Sequence, residues 1–507
     1  MRFAQIRERH HWLAGGLLSF YFFPLLWLAQ YNYPSGDDFK TFVRAQELGV
    51  LGATKSQYFH WTGRYSSFFL QSLLAVHGNW WLAYRIMPVV VFCAGFGCLF
   101  YFFKTLFDPA LSRKVLFTLS ASVYVFLVSL TPDITTGFYW LATNMQYLGG
   151  VFVSLLIFAL NIKLRRAPTS AGRLLISGGI VLLLGFLAGL NEISILFMIA
   201  IYGALNFFHV VRFRQLYPAG LIFLAASVLF GLLALFAPGN FTRIRHNGTV
   251  FHLLDVALGS LGLTCYFLVE LLTTTPLLLA SALYLLFLQA NRERLAQPLG
   301  FLAGLRWYWV LLALCCIITV PNVALFSALG VSVNSLPYRL KNAYVYSIVL
   351  CWFFGLTILF VDLAPRAINF YIPKWLTGLL AAFIGLFLLT GFELKPGGTA
   401  APSVNQARQA LSMLRTRSIC TTAYQDLISG RATRYYWQNE ERMRQLRGAT
   451  GDTVDLSLYS YVPETIFIMD VNHPYGAPDA MSKTISGQVK HMRYVATGPP
   501  TLQKPGF

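Results

Sequence analysis

Apolar residues run along this chain in long unbroken stretches, and polar and charged residues gather in the short segments between them. A membrane-crossing helix needs about twenty mostly apolar residues. The runs that meet this are Trp12–Tyr31, Trp81–Phe107, Val115–Leu130, Leu148–Ile162, Leu174–Leu190, Ile193–Val211 and Tyr217–Ala237, then about Thr273–Ala290, Trp307–Leu329, Tyr344–Val361 and Trp375–Phe392. They predict eleven spans. His252–Ala290 is long enough for two helices, and its first half reads either as a span or as an interfacial helix. Beyond Phe392 the pattern changes. Lys395-Pro396-Gly397-Gly398 is a turn-rich linker, Ala407–Arg417 and Tyr436–Arg447 have helical patterns, and Thr453–Tyr461 and Thr465–Met469 read as strands.

The predicted fold class is therefore an all-α polytopic membrane protein with a small C-terminal α+β domain. Residues 1–392 form the transmembrane part and 393–507 the C-terminal domain. Composition agrees, since a chain with 12% charged and 56% hydrophobic residues is not a soluble enzyme. The net charge of +19 does not point to nucleic acid. Arg2, Arg7, Arg9, Arg113-Lys114, Lys163-Arg165-Arg166, Arg212-Arg214, Arg292-Arg294 and Arg366-Lys374 fall in every second connection when His252–Ala290 holds one span. That is the cytoplasmic signature of basic loops. It predicts a cytoplasmic N-terminus, a periplasmic C-terminal domain and an uncleaved first span in a bacterial inner membrane. Six of the seven cysteines lie in apolar runs, leaving Cys420 as the one expected to meet water, and no disulfide or zinc spacing is present.

The opposite, exoplasmic face receives connections at 32–80, 131–147, 238–272 and 330–343, and candidate chemistry collects there. The first carries Asp37-Asp38 and then Trp61 and Arg64, with Tyr58–Val76 patterned as an interfacial helix. The second carries Asp133, Tyr139 and Trp140, and Asn191-Glu192 forms a tight turn between two spans. Asn240, Arg243, Arg245, Arg339 and Lys341 complete the set. Adjacent carboxylates at a membrane border are costly unless solvated or paired, which makes Asp37 and Asp38 functional candidates; a helix N-cap is the plain alternative. Arginine is a planar donor matched to phosphate, and aromatic rings such as Trp61, Tyr139 and Trp140 stack on sugars. The arginines also read as interfacial anchors, Asp133 as a helix cap, and the aromatic residues as belt residues. Glu192 has little room to reach bulk water.

Taken together, the early Asp37-Asp38, the His60-Trp61-Thr62-Gly63-Arg64 stretch, Phe138-Tyr139-Trp140, Asn191-Glu192 and Pro238-Gly239-Asn240 followed by Arg243 resemble the GT-C superfamily of polyprenyl-phosphate-sugar-dependent glycosyltransferases. Within it they are similar to the bacterial GtrII-like multispan group, over roughly residues 1–345. The resemblance implies an inverting transfer with Asp37 as general base and Asp38 as its neighbour. It implies that basic residues of later exoplasmic loops, Arg243 and Arg339 first, bind the lipid phosphate. Some relatives use a divalent cation; Asp37, Asp38 and Glu192 could help hold one, but no loop offers a dense oxygen cage and no metal is assigned.

The expected function is transfer of a sugar from a polyprenyl-phosphate donor to an exoplasmic hydroxyl of a surface polysaccharide, a lipid-linked glycan or a pilin-like protein. A transporter or flippase of lipid-linked sugars is the first rival, although charges inside the spans are scarce. A glycan ligase or polymerase using a lipid-diphosphate donor is the second. A scaffold is the third, and gives no reason for these residues to share a face.

Overall fold

The computed structural model describes residues 8–77, 79–247, 253–300, 314, 319, 338–363, 373–390, 418–457, 459, 462–468, 478–486 and 491–495. The chain opens with α1 (Glu8–Leu28), α2 (Asp37–His60), α3 (Tyr65–His77), α4 (Trp80–Phe107) and α5 (Arg113–Ser129). A π-turn at Thr135–Tyr139 leads into α6 (Leu141–Asn144) and α7 (Leu148–Arg166), followed by α8 (Ser170–Ala188), α9 (Glu192–Phe213), α10 (Pro218–Leu235) and α11 (Pro238–Asn247). Next come α12 (Leu253–Thr274), α13 (Leu277–Ala290), α14 (Arg292–Leu295), α15 (Tyr338–Leu363) and α16 (Lys374–Thr390). The C-terminal segment holds α17 (Ile419–Ile428), α18 (Arg431–Gly448), β1 (Thr453–Ser457), α19 (Pro478–Ser486) and β2 (His491–Val495).

The chain is built as a multi-pass membrane protein. Among the described residues six helices are long and apolar enough to cross a bilayer: α4, the joined α6–α7, α8, α9, α10 and α15. A seventh exists if α12 and α13, bent by 79° against each other, count as one broken span. The bend falls at Thr275-Pro276, where proline lacks an N–H and disfavours helix in the residue before it. The connection expected at 238–272 is thus largely helical. Of the other expected spans, Trp12–Tyr31 corresponds to α1 and Val115–Leu130 to α5, which has 17 residues. Trp375–Phe392 corresponds to a shorter apolar helix, and Trp307–Leu329 lies outside the described residues except for Leu314 and Thr319, both helical.

Two large apolar clusters and two small ones make the core of the described residues. The largest joins α1, α4, α5, α7 and α15 with α17 and α18; the second joins α7, α8, α9 and α10. The C-terminal segment therefore shares its core with the membrane bundle. Cys420, expected to meet water, is 1% exposed within the largest cluster. Apolar contact drives this burial and the short polar flanks of α17 do not reveal it.

The strand expectations are corrected in part. β1 covers only the start of Thr453–Tyr461, and its partner is β2, parallel and with Thr453 opposite His491. Parallel strands need a crossover, and α19 lies between them. Residues 465–468 form a turn and irregular chain, not a strand, and Met469 lies outside the described residues. The Asp426 carboxylate accepts the N–H groups of Glu464 (3.2 Å) and Thr465 (2.9 Å), donors that a ladder would need. Ile466 is apolar because it is buried. The expected helix at 407–417 and the linker at 395–398 also lie outside the described residues; the expected helix Tyr436–Arg447 is the body of α18.

Candidate functional site

The connection between α1 and α2 is tied down by two side chains. Asn32 donates to the carbonyls of Tyr139 (2.8 Å) and Tyr84 (3.1 Å). Asp38 accepts from the N–H of Ser35 (3.0 Å) and of Ala142 (3.0 Å). Gly36 holds the turn between them at φ 52°, a left-handed value that glycine adopts without strain. The two carboxylates consequently diverge. Asp38 is 1% exposed, and burial pushes its pKa up to about 7 against the lowering effect of the neighbouring Tyr84 hydroxyl and Ser35 N–H; Asp37 adds to the rise. Asp37 opens to solvent and, among the described residues, pairs only with Lys40 across one helical turn (3.3 Å). The helix-start reading holds for this stretch, with Gly36 as the capping residue.

The 131–147 connection is equally fixed. Asn342 on α15 accepts from the Asp133 N–H (3.0 Å) and donates to the Asp133 carbonyl (2.8 Å). The Asp133 carboxylate accepts from the Thr135 N–H (3.1 Å), the turn-capping role of an aspartate. Tyr139 is wholly buried and donates to the Leu25 carbonyl (2.6 Å), so its ring offers no stacking surface. Trp140 is buried too, with the Arg339 guanidinium 5.8 Å from its ring centre.

Farther along this connection the charged residues converge. The Arg64 Nε donates to Glu192 Oε2 at 3.0 Å and its Nη1 to Gln146 Oε1 at 2.8 Å, with the guanidinium 5.4 Å from the Tyr147 ring centre. Thr62 donates its hydroxyl to Glu192 Oε1 (3.3 Å), and Arg243 Nη2 lies 3.9 Å from the same oxygen. The Arg64, Glu192 and Arg243 side chains are 14%, 10% and 13% exposed. Buried Arg243 Nε has no hydrogen-bond partner among the described residues. Burial opposes the Arg64 charge, but Glu192 and Tyr147 outweigh it and hold its pKa above the usual arginine value. Arg243 is lowered, chiefly by burial and further by Arg64 and Arg339, against the pull of Glu192. Two guanidiniums, those of Arg64 and Arg243, share the Glu192 carboxylate, and the Arg339 charge also acts on Arg243, so positive charge is in local excess.

Local sequence explains the convergence. Asn191 caps α9, accepting from the Ser194 N–H at 2.8 Å and donating to the Gln146 carbonyl, which sets Glu192 beside Gln146. The break between α2 and α3 lies against the corner between α10 and α11. A Cβ on Gly63 would stand 1.9 Å from the Ala234 carbonyl oxygen, and one on Gly239 would stand 2.3 Å from the Trp61 nitrogen. Asn240 donates to the Ala234 (2.8 Å) and Leu235 (3.1 Å) carbonyls and accepts weakly from the Gly63 N–H (3.4 Å). Asn240 is thus a clamp that delivers Arg64 and Arg243 to Glu192.

Trp61 is 46% exposed at the rim and Arg245 is exposed on α11. Lys341 lies on the first turn of α15, near Arg339 in sequence. The segment from Ala142 to Gln146 touches both Asp38 and Arg64, joining the acidic turn to the basic cluster. Asp38 gives its oxygens to N–H donors and Glu192 gives its own to Arg64, Thr62 and Arg243. Among the described residues no three His, Cys, Asp or Glu side chains are grouped to hold a metal ion.

Sequence reasoning missed Asn342, Thr62 and the C-terminal roof. Asn342 had a signal, being an amide two residues before the expected span start. The roof had none. Tyr33 donates its hydroxyl to the Glu440 carboxylate of α18, and Arg85 stands 3.8 Å from Glu440 and over the Tyr33 and Tyr436 rings at 5.8 and 5.3 Å. Comparison with protein-family models, with curated proteins and with solved structures finds no match for this chain.

Proposed function

We propose that this chain is a GT-C-like membrane glycosyltransferase that moves a sugar from a polyprenyl phosphate to an acceptor hydroxyl on the exoplasmic side of a bacterial inner membrane. In this reading it has about eleven spans, a cytoplasmic N-terminus and a periplasmic C-terminal segment. The observation that carries it is the pair of Arg64 and Arg243 on the single carboxylate of Glu192, with the Arg339 charge acting on Arg243, joined to Asp37-Asp38 through Ala142–Gln146.

A phosphate anion matches this excess of positive charge, and a planar guanidinium whose buried Nε has no partner among the described residues is a ready donor to phosphate oxygen. Glu192 keeps the two nearest guanidiniums fixed before the ligand arrives, which lowers the cost of ordering them at the moment of reaction. The acceptor hydroxyl attacks the anomeric carbon as its bond to the phosphate oxygen breaks, with inversion. The hydroxyl proton goes to Asp37, and polyprenyl phosphate leaves with its new negative charge against the arginines. Asp37 suits the role better than Asp38 because its carboxylate is open to solvent while Asp38 holds two backbone N–H groups.

The test is incubation of purified protein with synthetic polyprenyl-phosphate sugars and an acceptor pool, following release of polyprenyl phosphate. Wild type should release it, and Asp37→Asn should lower the rate by about 10² or more, the usual size of a general-base contribution. Full activity in Asp37→Asn overturns the assignment of the base. Release only from diphosphate donors makes the protein a ligase or polymerase instead.

A further inference from the structure

At the end of the bundle remote from Gln146, α7 borders a half-open cavity that carries charged side chains. Its 19 residues separate the two sites by about 28 Å at the helical rise. The cavity, of about 380 Å³, is lined by Asp108 and Pro109 after α4, by Ile162, Arg165 and Arg166 of α7, and by Gln297 and Pro298 after α14. The ends of two candidate spans, α4 and α6–α7, meet here, which sets the cavity at headgroup depth.

Its two guanidiniums are held in place. Arg166 donates to the carbonyls of Thr105 (2.7 Å), Leu106 (3.3 Å) and Asp108 (3.4 Å), satisfying the free end of α4. Arg165 stands 5.6 Å from the Tyr217 ring centre. The hydrogen bonds of Arg166 go to neutral carbonyls, and among the described residues it forms no ion pair with a carboxylate. The exposed Asp108 carboxylate lines the same space. A cavity with two cations, one anion and apolar walls from Ile162, Pro109 and Pro298 matches an amphiphile carrying phosphate and ammonium together.

We infer that this cavity binds the headgroup of a zwitterionic phospholipid with a primary amine, phosphate on Arg165 and Arg166 and ammonium on Asp108. A trimethylammonium headgroup cannot donate to Asp108, and a glycerol headgroup gives that carboxylate no opposite charge. The site is independent of the proposed catalytic chemistry.

The experiment reconstitutes the full chain into nanodiscs of phosphatidylethanolamine, phosphatidylglycerol or phosphatidylcholine with a common neutral filler, then counts retained lipid by native mass spectrometry. One phosphatidylethanolamine per chain should survive conditions that strip the other two. Arg165→Gln should lower its retention about tenfold or more, the worth of one charge-assisted hydrogen bond. This variant keeps the Arg166 bonds to α4, so a folding failure does not obscure the result. Asp108→Asn should move the preference from phosphatidylethanolamine to phosphatidylglycerol. Equal retention of all three lipids, or retention indifferent to both variants, overturns the inference. Displacement of the lipid by inorganic phosphate alone would make the site one for free phosphate and overturn it as well.

Discussion

Asp37 and Asp38 are neighbours in sequence with opposite environments, and the difference is open to measurement. The folded pKa of Asp38, about 7, lies above the ordinary aspartate value near 3.9 expected when unfolded. The native state therefore binds the extra proton, and stability from this group is full below about pH 4 and lost as pH rises through about 7. The shift corresponds to roughly 4 kcal/mol at most. Thermal melts in detergent at pH 5 and pH 8 should show the wild type more stable at the lower pH. Asp38→Asn should flatten that difference while lowering the melting point at pH 5, because its amide cannot accept both N–H groups. An unchanged pH dependence in the variant would assign it to another group.

The same scale separates the two arginines beside Glu192. Arg64 is hydrogen-bonded to the carboxylate, so Arg64→Gln leaves a buried charge poorly matched and should cost about 3–5 kcal/mol. Arg243 stands farther away, at 3.9 Å, and Arg243→Gln should cost much less stability while weakening donor binding. Adding Glu192→Gln should recover most of the loss in the Arg64 variant and little in the Arg243 variant. Equal recovery in both would mean that the two arginines share the carboxylate evenly.

At the scale of elements, much was legible because apolar runs of bilayer length have few other readings; the long runs Trp81–Phe107 and Tyr217–Ala237 became α4 and α10 almost unchanged. The break at Gly63 and the clamp at Asn240 were visible only as short motifs, since close backbone approach leaves no periodicity. Their effect is testable. Gly63→Ala would put a methyl group 1.9 Å from a backbone oxygen that cannot swing aside, so the α2–α3 junction must part from the α10–α11 corner. Loss of the folded protein, or of both donor binding and several degrees of melting temperature, is expected. Ala at Gly97, where a Cβ meets nothing within 4 Å, is the neutral control.

The whole molecule is where sequence reading fell shortest. A change of composition after Phe392 reads as a separate domain, yet α17 sits in the main core, with Tyr424 donating to the Phe20 carbonyl (2.9 Å) and Ser418 to that of Leu388 (2.7 Å). Long-range packing of this kind has no local signature. It predicts the chemistry of Cys420. Burial removes access and pushes the thiol pKa up to about 11, so the thiolate that reacts with maleimide is scarce twice over. In a variant keeping only this cysteine, a water-soluble maleimide should label the native protein at least 10²-fold more slowly than the unfolded protein, in line with a site that opens only with much of the core. Fast labelling of the folded protein would mean that the C-terminal segment lifts from α1 on its own. Glu440→Ala, which removes the partner of Tyr33 and Arg85 but leaves α17 in place, should raise the labelling rate far less than Ala423→Asp, which introduces a charge into the buried face of α17 itself.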